Sequence, residues 1–276
     1  MTKQPREQSI DAIGKWSEDK LRILRKYLAP YSRIMNRHRF KYAYIDAFAG
    51  SGLHVTKNEK RIVPGSPLEA MMVEPPFDEY YFIEMDKKKS AMLEKQVKDK
   101  GNVHIFSGDC NEILIKDVFP QVRYEDYRRA ICFLDPYNIG LDWEVLLNAG
   151  KMRSIEIILN FSIMDINRNL KRKKPREEDI DRMNRFWGDE TWRDYLFQTE
   201  PGLFGDIFER IPGNTPITRA FQERLKIKAG FKYVPEPIAM CNTKGAVVYF
   251  LFFASQNQAG NKIITDIFKS YQNRTQ

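Results

Sequence analysis

Between Tyr42 and Phe161, short apolar runs alternate with helix-patterned stretches, and this alternation leaves the chain few folds to choose from. Tyr42 to Phe48, Tyr80 to Glu84, Val103 to Phe106, Ala130 to Leu134 and Ser154 to Phe161 are all of strand length and rich in aromatic and branched residues. The segments between them that read as helices are Ser66 to Val73, opened by a Ser-Pro start, Lys87 to Lys98, Asn111 to Val118 and Trp143 to Asn148. Strands joined through helices must cross over, so they lie parallel, with helices on both faces of the sheet. His54 to Pro64 reads as a loop. From Ile163 to Pro216 the rhythm stops: this stretch is polar and basic, carries Trp187 and Trp192, and reads as an insertion. The alternation resumes with a helix from Ile217 to Lys228, a run from Phe231 to Cys241, a turn at Asn242 to Gly245 and a run from Ala246 to Ala254. So short a turn makes the last two strands antiparallel.

The expected fold is α/β, a Rossmann-like doubly wound sheet ending in an antiparallel hairpin. The expected organisation is a helical N-terminal extension over 1–40, a core over 41–162, a basic inserted subdomain over 163–215, and completion of the sheet with a C-terminal helix over 216–276. In the extension, Trp16, Leu21, Leu24, Tyr27, Leu28 and Tyr31 recur at helical spacing, and Pro30 is expected to end or kink the helix.

Composition removes several function classes. The longest apolar run, Ala246 to Ala254, is nine residues, against the roughly 20 that cross a bilayer, so no membrane span is expected. The polar opening Met-Thr-Lys-Gln-Pro-Arg-Glu gives no signal peptide. Cys110, Cys132 and Cys241 lie too far apart for a disulfide framework or a paired-cysteine zinc site, which points to a reduced, cytoplasmic protein. His38, His54 and His104 share no ligand spacing, and no metal is expected. No hydrolase elbow is present. The net charge is +8, and it is concentrated: Lys20 to Lys41 holds eight basic residues and no acid, and Arg168 to Arg185 holds eight against four acids. Such clustering suits a polyanionic partner, nucleic acid above all, without distinguishing RNA from DNA.

Four acids stand at the carboxyl ends of successive expected strands: Asp46, Glu84, Asp109 and Asp135. In a doubly wound sheet that edge is where ligands bind. Gly50 and Gly52, where the first strand turns, let backbone N–H groups approach a ligand. No third glycine completes the dinucleotide fingerprint, and no Lys-Ser/Thr completes a P-loop. The set suits a nucleoside cofactor, with one carboxylate for ribose hydroxyls, one acceptor for an adenine amino group, and one acid near the reaction.

Asp-Ala-Phe-Ala-Gly-Ser-Gly at 46–52, Phe-Ile-Glu-Met-Asp at 82–86, Gly-Asp-Cys-Asn-Glu-Ile-Leu at 108–114 and Leu-Asp-Pro-Tyr at 134–137 resemble the successive motifs of class I S-adenosylmethionine methyltransferases, with their seven-stranded sheet. More closely, with Gly65-Ser66-Pro67-Leu68 and Leu159-Asn160-Phe161 followed by Asn167-Arg168, the chain is similar over about residues 20–275 to the three-Cys-motif partner family. These are methyltransferase-like proteins named for encoded neighbours that carry three cysteines. The resemblance implies S-adenosylmethionine as cofactor, with Asp46, Gly50 and Gly52 at its methionine end, Phe48 among the binding residues, Glu84 at the ribose, and Asp109 with Cys110 at the adenine. It also implies a possible three-cysteine protein partner. Asp135-Pro136-Tyr137 resembles the Asp-Pro-Pro-Tyr motif of amino-methylating enzymes, with Tyr137 in place of the second proline. By that resemblance Asp135, Pro136 and Tyr137 are the catalytic residues.

Asn160, Asn167 and Arg168 are candidates for the substrate mouth, and Lys171, Arg172, Lys173 and Lys174 for contact with a polymer. Trp187 and Trp192 are candidate stacking surfaces. Three readings stay open: a methyltransferase acting on an amino nitrogen of a nucleic-acid base, a methyltransferase-like binding partner with little or no turnover, and a small-molecule or peptide methyltransferase.

Overall fold

The computed structural model describes residues 10–98, 100–172, 175–202 and 205–275. In chain order these form β1 (Asp11–Ile13), α1 (Lys15–Arg37), β2 (Lys41–Asp46), β3 (Leu53–Thr56), β4 (Ile62–Pro64), α2 (Ser66–Met71), β5 (Glu79–Glu84), α3 (Lys87–Val97), β6 (Val103–Ser107), α4 (Cys110–Ile113) and β7 (Arg128–Leu134). There follow α5 (Trp143–Met152), β8 (Ile155–Phe161), α6 (Ile163–Asn169), α7 (Glu177–Trp187), β9 (Phe197–Gly202), β10 (Gly205–Arg210), α8 (Thr215–Ile227), β11 (Ile238–Cys241), β12 (Val247–Ala254) and α9 (Gln258–Thr275). The large sheet has seven strands in the order β11-β12-β8-β7-β2-β5-β6. The pairs β2 with β5 and β7, and β5 with β6, are parallel. The β11–β12 hairpin is antiparallel, and β12 pairs antiparallel to β8. This is the hairpin-terminated doubly wound sheet that the alternation predicts.

Residue contacts divide the chain into two compact units, one running to Leu134 and including Asp266–Thr275, the other Asp135–Thr265. In the first unit, β2 runs unbroken and apolar because its residues after Lys41 are all buried. The amphipathic α1 contributes Leu24, Tyr27 and Leu28, each 0% exposed, and a leucine so buried supplies roughly 2 kcal/mol of transfer free energy. Pro30 does not end this helix, which continues to Arg37. Tyr31 and Met35, buried beyond the proline, hold the last turns in place. The stretch expected as a loop, His54 to Pro64, is instead part of a small sheet in which β1 pairs parallel with β3, and β3 antiparallel with β4. Its strands are only three and four residues long and are split by the polar stretch Lys57 to Arg61, too short for a hydrophobic period to read. The helix expected over Asn111 to Val118 is α4 followed by a wider π-type turn over Leu114–Val118.

In the second unit β8 is buried at every position, and the aromatic rings of Phe161, Phe186, Phe221 and Phe252 pack at centroid distances of 4.8–5.6 Å. The strand expected over Phe231 to Cys241 is shortened to Ile238–Cys241. Pro235 and Pro237 have no N–H to give a ladder, which confines pairing to the residues after them. Gly245, with φ +79°, closes the hairpin turn and donates to Asn242 O. Among the described residues no helix is long and apolar enough to cross a membrane.

Candidate functional site

In the first unit the candidate residues converge on the turn that follows β2. Ala47 N donates to Phe133 O at 3.1 Å and Ala49 N to Ile83 O at 2.9 Å, so the backbone stays tied to both neighbouring strands as it leaves the sheet. Asp46 is fully buried; its carboxylate accepts from Tyr44 Oη at 3.1 Å and from Phe48 N at 3.3 Å. Burial first, and then the Asp46 carboxylate, push the Tyr44 hydroxyl well above its usual range and keep it a donor. Asp46 thus shapes the turn from beneath.

Glu84, half-buried at the end of β5, accepts from Gly50 N at 2.8 Å through Oε2 and from Asp86 N at 2.8 Å through Oε1. A carboxylate has about four acceptor positions, so Glu84 keeps capacity for two hydroxyls beyond these bonds. Gly50 (φ +63°) and Gly52 (φ +80°) occupy the left-handed region that favours glycine. Their surroundings differ. A Cβ on Gly52 would lie 2.8 Å from Leu93 Cδ1, whereas a Cβ on Gly50 would meet nothing within 4 Å. The turn is braced from outside by Gln96 Nε2 donating to Ser51 O at 2.6 Å and Gly65 N donating to Gly52 O at 2.7 Å. Asp109 is exposed and caps α4, accepting from Asn111 N at 2.9 Å. Cys110 is buried beneath it, and burial raises the neighbouring Cys132 thiol well above the usual range. Phe48 is half-buried on the turn.

In the second unit Asp135 directly follows β7. Its Oδ1 accepts from Asn160 Nδ2 at 2.8 Å. Asn160 is 8% exposed, and its Oδ1 has no hydrogen-bond partner. Pro136 is buried and Tyr137 is 80% exposed. The loop beyond is held by buried Asp165, which accepts from Ile139 N at 3.4 Å, Asn169 Nδ2 at 2.7 Å and Arg168 at 3.2 Å. The remaining substrate candidates are engaged locally: Asn167 donates to Asn214 Oδ1 at 3.0 Å, Lys171 to the carbonyls of Ile211 and Gly213, and Arg172 to Arg168 O at 2.7 Å. Burial lowers the Lys171 ammonium from its usual range, consistent with a clamp on those carbonyls. Lys173 and Lys174 lie outside the described residues.

Trp187 and Trp192 are not stacking surfaces. Both are 0% exposed, with their indole N–H groups given to Thr191 Oγ1 and Asn184 Oδ1. Arg224 lies over the rings of Trp143 and Trp187, at 5.0 and 4.9 Å, and pairs with Asp189 at 3.1 Å. Burial alone would raise the Asp189 carboxyl, but hydrogen bonds from Thr191, Lys228 and Arg224 hold it well below the usual carboxylate range.

The basic clusters are partly spent on local acids. Arg22 pairs with Asp19, Arg25 with Glu69 and Lys41 with Asp78; Arg176 and Arg182 share Asp179, and Arg185 reaches Asp142. Lys26, Arg33, Arg37 and Arg39 stay exposed. Sequence reasoning missed Tyr44 and Gln96. The first lies two residues before Asp46 on the same strand face, a readable signal; the second sits on a helix with no motif to mark it.

No family model and no curated protein matches the chain. Among solved structures, protein LPL1258 from Legionella pneumophila is 10% identical over 90% of each chain, with a TM-score of 0.54. The N-terminal domain of EvdMO1 with SAH bound is 12% identical, over 83% of this chain and 81% of that one, with a TM-score of 0.42. A dimethyladenosine transferase from Plasmodium falciparum is 13% identical, over 86% and 62%, with a TM-score of 0.39. At these identities the likeness is one of fold. With the strand order above, that fold is a doubly wound, Rossmann-like α/β sheet ending in an antiparallel hairpin.

Proposed function

We propose that the chain is an S-adenosylmethionine-dependent methyltransferase acting on an amino nitrogen of a nucleic-acid base. The observation that carries this reading is the turn at Gly50, where the backbone is fixed by the Glu84 carboxylate and the space a side chain would fill is open. These residues fit a nucleoside cofactor. Gly52 offers a backbone N–H group, Gly50, whose own N–H is held by Glu84, leaves space for the ligand, Glu84 has acceptor capacity for ribose hydroxyls, and exposed Asp109 can accept from an adenine amino group. Asp46 sets the shape of the turn through Phe48 N. S-adenosylmethionine, when bound, supplies an electrophilic methyl group.

Asp135 accepts an N–H of the substrate amine, orients its lone pair, and takes the proton that the nitrogen gives up as it gains the methyl group. Exposed Tyr137 offers a ring for stacking on the base. Support for a polymer rests on the exposed cations Lys26, Arg33, Arg37 and Arg39. A second reading, a methyltransferase-like partner of a three-cysteine-motif protein, is favoured by one feature: Tyr137 stands where the amino-methylating motif has its second proline.

The test is incubation with methyl-tritiated S-adenosylmethionine and, separately, unmodified tRNA, ribosomal RNA and duplex DNA. The methyltransferase reading expects label in one polymer and none with Asp135→Ala. Label in no polymer, from protein that still binds S-adenosylhomocysteine, favours the partner reading.

A further inference from the structure

We infer that Asn160, whose orphaned Oδ1 sits beside Asp135, is the second acceptor for the substrate amine, and that the group the pair takes is an uncharged, ring-conjugated –NH2 still carrying both hydrogens. The inference rests on the amine-methylating reading of Asp135 and goes further by naming the state of the amine.

Asn160 stands among apolar, fully buried neighbours near the end of β8. Leu159 and Phe161 on either side are 0% exposed, and Ile157 and Ile158 are equally buried. A primary amide in that setting has to satisfy both its ends. One end is satisfied: Nδ2 donates to Asp135 Oδ1 at 2.8 Å. The bond also fixes which way the amide faces. Rotated by half a turn, Asn160 would set its own oxygen against a carboxylate oxygen, two acceptors with no proton between them. The amide oxygen therefore points away from Asp135, and there it has no partner among the described residues. Buried polar atoms are paired with few exceptions, and an exception beside a candidate catalytic acid is where an incoming donor completes the set.

What Asn160 Oδ1 and the Asp135 carboxylate present is acceptors. One of the two amide hydrogens of Asn160 is given to Asp135, the amide oxygen carries none, and a carboxylate has no hydrogen to give. Asp135 retains acceptor positions beyond the one that Asn160 fills, since a carboxylate offers about four. A carbonyl, phosphate or ring nitrogen without hydrogen brings no donor to those two acceptor atoms. A group bringing two donors is matched, one to Asp135 and one to Asn160 Oδ1. Methyl transfer to nitrogen needs a lone pair, which a protonated amine lacks. Alkylamines, with pKa values near 10.4 like that of lysine, are protonated at neutral pH, whereas an amino group conjugated to a ring stays neutral. Two donors and a lone pair together describe the exocyclic amino group of adenine, cytosine or guanine. They also set a stopping point. Once one methyl is on, a single hydrogen remains and one of the two acceptors goes unpaired, so the product binds less well than the substrate and transfer ends at the monomethyl stage.

The experiment titrates adenosine, cytidine and guanosine, with the N-monomethylated and N,N-dimethylated forms of each, into protein labelled with 15N-asparagine and saturated with S-adenosylhomocysteine. At least one parent nucleoside should shift the Asn160 side-chain amide signal. Its affinity should exceed that of its dimethyl form by about 100-fold, roughly tenfold for each of the two hydrogen bonds lost, with the monomethyl form between them. In Asn160→Leu the parent should lose about tenfold and the dimethyl form should lose nothing. Equal affinity for parent and dimethyl forms, an Asn160 signal that no nucleoside moves, or discrimination in Asn160→Leu as large as in the unaltered protein overturns the inference. If Asn160→Leu does not fold, the methylated series on the unaltered protein decides alone. Failure of S-adenosylhomocysteine to bind is a separate result: it removes the cofactor reading, while the same nucleoside series on the unloaded protein still reports on Asn160.

Discussion

The turn after β2 and the Asp135–Asn160 pair are both polar places at strand ends, yet they are finished to different degrees. In the turn, the acidic and amide side chains each have partners of their own chain: Asp46 holds Tyr44 and Phe48, Glu84 holds Gly50 and Asp86, and Gln96 holds Ser51. What is left open there is space, over Gly50. At Asp135 the reverse holds. The amide is packed into a buried strand, and what is left open is a bond, at Asn160 Oδ1. A preformed backbone cradle suits a ligand that is the same at each turnover. An unfilled acceptor suits a group that must be recognised by its hydrogens. On the proposed reading, cofactor binding belongs to the first region and substrate choice to the second, and each assignment can be broken separately.

The largest effect should come from Asp135→Ala. Removing an acid that takes a proton in the reaction costs about 10²–10⁴-fold in rate, and affinity for S-adenosylhomocysteine should stay within a few fold because this residue's partner is the amine. Single-turnover rates on the polymer that accepts label, set beside calorimetric affinities, check both halves. Loss of cofactor binding in this variant would merge the two regions into one and end the comparison.

Glu84→Ala should do the opposite. It removes acceptors for two hydroxyls and releases Gly50 N, so cofactor affinity should fall by roughly 10–100-fold, as expected for charge-assisted hydrogen bonds. The nucleoside discrimination at Asn160 should be unchanged.

The two glycines sharpen the account within the first region. An L-residue in the left-handed region costs about 1–2 kcal/mol, and Gly50→Ala should show no more than that in a denaturant titration, because its Cβ enters open space. Gly52→Ala should cost about 1 kcal/mol more, since Leu93 is fully buried and must yield. For cofactor affinity the order should invert, with Gly50→Ala the worse variant, because its methyl group fills the space assigned to the ligand. Equal losses of affinity in the two would show that the space over Gly50 is not where the cofactor lies.

How much of this could be read from the sequence depends on whether side chains or backbone carry the structure. The strands β2, β5, β7 and β8 announce themselves as apolar runs because they are buried on both faces. The acids after them are legible as candidates because a strand end leaves few reasons for a carboxylate. The β1-β3-β4 sheet was hidden because its strands are only three or four residues long and pair polar residues such as His54 and Thr56 with apolar ones, Val63 and Ile13. The shortened β11 was written in Pro235 and Pro237, which a reading of apolar runs passes over. Trp187 and Trp192 look the same in a sequence whether they stack on a base or fill a core; their burial follows from partners, Thr191, Asn184 and Arg224, scattered along the chain. The orphan at Asn160 is of the same kind, since no spacing between residues 135 and 160 foretells a hydrogen bond.

A smaller effect concerns acid. The Asp189 carboxyl is held below its unattached value of 3.8, so its contribution to stability is complete above that pH and is lost as the pH falls through the lower, folded value. Asp189→Asn should remove that part of the acid dependence in a series of denaturant titrations from neutral pH downward. It should leave cofactor affinity unaltered, since Asp189 belongs to the Arg224 brace of the second unit. The smallest effect expected is on polymer binding. Reversing Arg33, Arg37 and Arg39 to Glu should flatten the slope of log affinity against log salt by about 2–3 on tRNA or duplex DNA, if each meets one phosphate. An unchanged slope would show that these exposed cations meet no nucleic acid.

The most direct measurement is a calorimetric titration of the unaltered protein and of Glu84→Ala with S-adenosylhomocysteine. The account predicts saturable binding, one ligand to each chain, weakened by roughly 10–100-fold in the variant. Absence of binding to the unaltered protein, or equal affinity in the two, would contradict the placing of a nucleoside cofactor at the Gly50–Glu84 turn.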